Sequence, residues 1–114
     1  MTRCELLLTQ LAEECAEVAK RCSKAVRFSL EERQFENPIE KGGSKLNNGE
    51  RISEELNDLV VVAEMLVVER FIPDYIDPAK RLIKISKVEK FMEYSVEKTN
   101  KKIPYTTWKP LQGI

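Results

Sequence analysis

Two carboxylate clusters, Glu13-Glu14 with Glu17 and Glu54-Glu55 with Asp58, each interrupt a run of apolar residues at helical spacing. That pattern restricts the chain to a helical fold in which two segments bring acids towards a shared interface. Residues three apart on a helix share a face, so Glu14 with Glu17, and Glu55 with Asp58, converge when the two helices pack side by side. At about 100° per residue, Leu7, Leu11, Val18 and Cys22 lie within roughly 80° of Glu14, while Leu59, Val62 and Leu66 bracket Glu55. Acids that serve only solubility sit on the opposite face. Clustered carboxylates beside an apolar stripe repel one another and lose hydration, so the placement calls for a hard cation, Mg²⁺ or Mn²⁺. The alternative is an ordinary polar surface with Lys20, Arg21 and Arg51 as helical partners, in pairs worth about 0.2 to 0.5 kcal/mol each. Two such motifs, both beside apolar stripes, weigh against it.

Capping signals delimit three helices. Thr2 followed by Glu5 opens the first, expected over residues 3–28. Residues 29–47 combine Asn37, Pro38, Gly42, Gly43 and Asn47 with many charged side chains and form a long loop. Asn47 or Asn48 caps a second helix running to about Phe71 ahead of Pro73, and Asp77-Pro78 opens a third that continues to about Lys98. The tail, residues 98–114, is expected to be extended. The expectation is a single all-α domain over residues 1–114, a bundle of three main helices with the long loop between helices 1 and 2. The second helix is apolar around nearly half its circumference, more than one neighbour covers, so oligomerisation to a homodimer or homotetramer completes the bundle.

Charge narrows the partners. The chain carries 19 basic and 19 acidic residues, which disfavours a nucleic acid polymer as ligand. Residues 1–79 hold 10 basic and 16 acidic groups, residues 80–102 hold 8 and 3, so an acidic region suited to cations precedes a basic one suited to phosphates. Cys4, Cys15 and Cys22 all lie in the first helical segment, with no histidine in the chain to help them bind zinc; they read as small apolar core residues in a reducing compartment. The apolar run from Leu59 to Val68 is about half a membrane span. With no signal peptide at the N-terminus, the location expected is cytoplasmic, away from membranes.

The order Glu-Glu-x-x-Glu then Glu-x-x-Asp, here Glu13, Glu14, Glu17, Glu55 and Asp58, resembles the MazG-like all-alpha nucleoside triphosphate pyrophosphohydrolase superfamily. The flanking segments Leu8–Ala12, Ser23–Phe28 and Lys87–Ser95 resemble its small stand-alone members, and the likeness covers roughly residues 4–98. It implies hydrolysis of an NTP or dNTP to the monophosphate and pyrophosphate, with Mg²⁺ held by Glu14, Glu17, Glu55 and Asp58. Glu13 or Glu17 would orient the attacking water as general base. For the phosphates, Lys24 and Arg27 follow the first motif, and Lys87, Lys90 and Tyr94 form a stripe on the third helix; Phe28, Phe35 and Trp108 are candidates to stack on a base. The chain departs from the family in two respects. Its 37-residue gap between Glu17 and Glu55 is long, room for a lid or substrate wall, and Asn57 stands where glycine is common. A phosphoribosyl-ATP-type pyrophosphohydrolase would use the same acidic site, and a non-catalytic helical interaction module is the reading from another class.

Overall fold

The computed structural model describes residues 1–33 and 46–99, with the side chains of residues 98 and 99 left aside. Within them the chain forms three helices and no strand: α1 (Arg3–Phe28), α2 (Asn48–Val68) and α3 (Pro78–Thr99). It divides into two compact units, Met1–Asp74 and Tyr75–Ile114. The expected tail lies outside the described residues from residue 100 onward.

The helix starts follow the capping chemistry. Thr2 accepts a hydrogen bond from the Glu5 N–H at 3.1 Å, satisfying one of the free donors of the first turn. Asn47 caps α2 in a complete capping box: its side chain accepts from the Glu50 N–H at 2.8 Å, and the Glu50 carboxylate accepts from the Asn47 N–H at 3.2 Å. Asp77 takes the Lys80 N–H at 3.1 Å, with Pro78 as first residue of α3.

The helix α2 ends three residues before Phe71, the end expected from Pro73. Arg70 adopts a left-handed conformation, φ 62°, which stops the helix; its N–H meets Val67 O and the Phe71 N–H returns to Leu66 O, both at 2.9 Å. This is the Schellman arrangement, which glycine usually occupies. Without a glycine at position 70, the sequence gives little sign of it.

In the unit Met1–Asp74 the interface between α1 and α2 has an apolar end. Leu7, Val62 and Leu66 form its centre, with Leu11 and Ile72 packed against them, and Leu66 is fully buried. Each such side chain contributes about 1.5 to 3 kcal/mol by leaving water. Arg3 and Glu69 close this end, with Arg3 Nη2 donating to Glu69 Oε2 at 2.9 Å; that hydrogen bond holds the Glu69 carboxyl below its ordinary range.

The cysteines are not core residues. All three are free, Cys4 half-buried and Cys15 and Cys22 exposed. The α2-facing line of α1 runs through Leu7 and Ala25, and the cysteines lie about 60° to 80° round the helix from it. Leu8 and Val26, further round still, are exposed too, Val26 at 84%. One neighbouring helix covers a narrower stripe than the apolar residues occupy. The same is true of α2, where Leu56, Val60, Val61, Met65 and Val68 face solvent.

The opposite end of the interface, where α1 gives way to the loop, is polar and buried. Asn48 is fully buried, and its side-chain amide donates to Ser29 O at 2.9 Å. The Asn48 N–H reaches Glu32 O and the Gly49 N–H reaches Leu30 O, both at 2.9 Å. The first backbone donors of α2 therefore satisfy carbonyls just beyond α1. Arg51, only 6% exposed, donates from Nε to Leu46 O at 3.3 Å. These bonds clasp the two ends of the loop; its middle, residues 34–45, lies outside the described residues.

Candidate metal centre

Between the apolar end and the clasp, the facing sides of α1 and α2 carry charge. Glu14 comes from α1, and Glu55 and Asp58 come from successive turns of α2. One carboxylate oxygen from each lies within 4.8 Å of the other two. Glu14 and Glu55 are half-buried and Asp58 is exposed, so the cluster sits at the edge of the interface with one side open to water. The placement follows from register: Glu55, Val62 and Leu66 share a line on α2, as Glu14 and Leu7 do on α1, so packing Leu7 on Leu66 and Val62 brings the acids together.

Two neighbours hold the carboxylates. Gln10, one turn before Glu14, donates from Nε2 to Glu14 Oε1 at 2.8 Å. Arg21 reaches across from α1 to Glu55, Nε to Oε1 at 3.7 Å, with both side chains largely covered. From the sequence, Arg21 is a partner of the acids only in the polar-surface alternative, with Lys20 and Arg51, and Gln10 has no role there. The available signal was helical spacing: Gln10 precedes Glu14 by four residues, and Arg21 follows it by seven, on the same face.

Glu17 is half-buried, one turn along α1, and does not join the three-carboxylate group; Glu13 is exposed. Lys24 is half-buried, and Arg27 lays its guanidinium over the Phe28 ring, 4.9 Å from the centroid, a cation–π contact in which both residues are exposed. Lys87, Lys90 and Tyr94 are exposed residues of α3, in the second unit. Phe35 and Trp108 lie outside the described residues. Beside the cluster, Ser53, Glu54, Asn57 and Asp58 line an open groove, which puts Asn57 next to a carboxylate of the group.

The donor set is chemically uniform. Three carboxylates offer hard oxygen donors and three negative charges, without nitrogen or sulfur, which suits Mg²⁺, Mn²⁺ or Ca²⁺ rather than zinc or copper. Oxygens around an octahedral Mg²⁺ at about 2.1 Å stand about 3 to 4.2 Å apart, so small side-chain rotations would bring this set to coordinating distance. Open edges suit an ion that keeps several waters.

Among the described residues no helix is long and apolar enough to cross a membrane. No protein-family model matches the chain, and neither the curated proteins nor the solved structures show a significant similarity to it.

Proposed function

We propose that this chain is a Mg²⁺-dependent nucleoside triphosphate pyrophosphohydrolase of the MazG-like all-alpha kind, with Mn²⁺ able to substitute. The observation that carries the reading is the meeting of Glu14, Glu55 and Asp58 from two helices, in the order and spacing that the resemblance implies. Glu14, Glu55 and Asp58 would hold the cation, and the resemblance implies Glu17 as a fourth carboxylate. When bound, a divalent cation offsets phosphate charge and acidifies water.

The remaining work falls to the chain's own groups. Gln10 fixes the orientation of Glu14. Glu13 or Glu17 accepts the proton of the attacking water, whose oxygen forms the new P–O bond as an anhydride P–O bond breaks; the products are a nucleoside monophosphate and pyrophosphate. Lys24 and Arg27 of α1 are the proposed phosphate contacts, and Asn57 in its groove offers an amide to the substrate. The apolar residues exposed on α1 and α2 support assembly as a homodimer or homotetramer.

A panel of canonical and modified NTPs and dNTPs, with phosphoribosyl-ATP included, tests the reading when incubated with Mg²⁺ or with EDTA and assayed for monophosphate and pyrophosphate. Cation-dependent release of pyrophosphate from at least one nucleotide is expected. Release from phosphoribosyl-ATP alone would move the chain to that substrate class. No turnover across the panel, together with no cation binding, would leave a helical interaction module.

A further inference from the structure

We infer that Arg21 is a positioning residue that acts as the resident counter-charge of the acidic cluster, steadying Glu55 when no cation is bound and weakening the cluster's hold on the cation. The inference rests on the metal reading above and adds to it a control on affinity. Its observation is the cross-helix pair: Arg21 Nε stands 3.7 Å from Glu55 Oε1, and the two side chains are only 16% and 18% exposed.

That burial distinguishes the pair from an ordinary surface salt bridge. Exposed pairs are screened by water and contribute little, whereas charges withdrawn from water interact more strongly and are costly to leave alone. Glu55 takes part both in this pair and in the carboxylate group with Glu14 and Asp58. The positions compete. A divalent ion among the carboxylates would meet a guanidinium already holding Glu55 and would be repelled by its charge. Binding of the ion and the Arg21–Glu55 attraction are thus negatively coupled, and coupling between sites is reciprocal. The same arginine offsets part of the carboxylate repulsion before an ion arrives.

The test is calorimetric titration of Mn²⁺ into the full chain, for the unaltered protein, Arg21→Gln and Arg21→Lys, with thermal melts in EDTA and in excess Mn²⁺. Arg21→Gln should bind Mn²⁺ tighter, by on the order of tenfold. Arg21→Lys, which keeps the charge, should stay near the unaltered protein. In EDTA, Arg21→Gln should melt lower, and excess Mn²⁺ should narrow that gap, because the ion supplies the charge that the arginine did. Should Arg21→Gln fail to fold, Arg21→Met keeps the packing of the stem and takes its place. Measurable Mn²⁺ binding that is equal or weaker in the neutral variant overturns the role of Arg21 and leaves the metal reading standing. Absence of Mn²⁺ binding in every variant removes the metal reading, and this inference falls with it.

Discussion

The interface between α1 and α2 is built in two unlike ways along its length. Towards the N-terminus of α1, Leu7 meets Val62 and the fully buried Leu66, with Leu11 and Ile72 beside them. Two turns on, the same pair of helix faces presents Glu14, Arg21, Glu55 and Asp58. The apolar end lowers free energy by leaving water, without demanding precise geometry. The charged stretch gathers groups that repel and are partly desolvated, so it opposes folding unless each charge is answered. A chain held at one end by an apolar core can tolerate such a stretch, and tolerance of that kind is characteristic of functional sites.

The two stretches should respond oppositely to substitution. The largest effect expected is on turnover: Asp58→Asn removes one charge from the carboxylate group with little change of shape and should lower pyrophosphate release by at least about a hundredfold. In EDTA its melting temperature should equal or exceed that of the unaltered protein, since one repelling charge is gone. Glu55→Gln should also lose turnover but should melt lower in EDTA, because it leaves Arg21 without that carboxylate. If Glu55→Gln melted no lower than Asp58→Asn in EDTA, the Arg21–Glu55 pair would have no energetic weight.

Leu66→Ala belongs to the other end. A fully buried leucine cut to alanine should cost about 2 to 5 kcal/mol in urea unfolding, a large share of the stability of so small a unit. Cation affinity of the fraction that remains folded should be unchanged. A loss below about 0.5 kcal/mol would mean that the apolar end does not anchor the hairpin.

Asn48→Ala is the next in size. It removes the amide that donates to Ser29 O and leaves a small cavity in a fully buried position, for an expected loss of about 1 to 3 kcal/mol. An unaltered urea midpoint would show that the two backbone bonds beside it, to Leu30 O and Glu32 O, suffice to close the loop.

The smallest effect concerns pH. Arg3 holds the Glu69 carboxyl below its ordinary value, so the folded state favours the charged form. That stability is present at neutral pH and is lost as pH falls through the depressed folded value. Because the pair is exposed, the change should be slight and weaker in high salt. Glu69→Gln should flatten this part of the acid limb of a stability–pH curve; an unchanged limb would assign it to other carboxylates.

Much of this was legible beforehand, and the reasons differ from element to element. Thr2, Asn47 and Asp77 announce helix starts because a short polar side chain answers a local, predictable shortage of partners for the first N–H groups. The end of α2 was not legible, because Arg70 enters the left-handed region without being glycine. Glu14, Glu55 and Asp58 could be brought together on paper because helical period alone puts them on facing sides. Period also puts Asn48 and Arg51 on the α1-facing line of α2, but not their partners: the bonds to Ser29 O, Leu30 O and Glu32 O depend on how the chain beyond α1 folds back on the start of α2. The exposure of Cys15 and Cys22 is not legible either, because a wide apolar stripe does not say which part of it a neighbour covers.

The clasp at Asn48 has a consequence for how such a chain can change over time. Leu30 and Glu32 are fastened to the first turn of α2, so the two helices keep their register whatever runs between positions 33 and 46. The cost of closing a connection between fixed ends grows slowly with its length, about 0.6 kcal/mol for each doubling. Insertions and exchanges there can therefore accumulate without disturbing the alignment of Glu14 with Glu55 and Asp58, and a grafted segment of different length should leave cation affinity intact. The hairpin behaves as a fixed chassis with one replaceable part, mounted next to the end of α1 that carries Lys24 and Arg27.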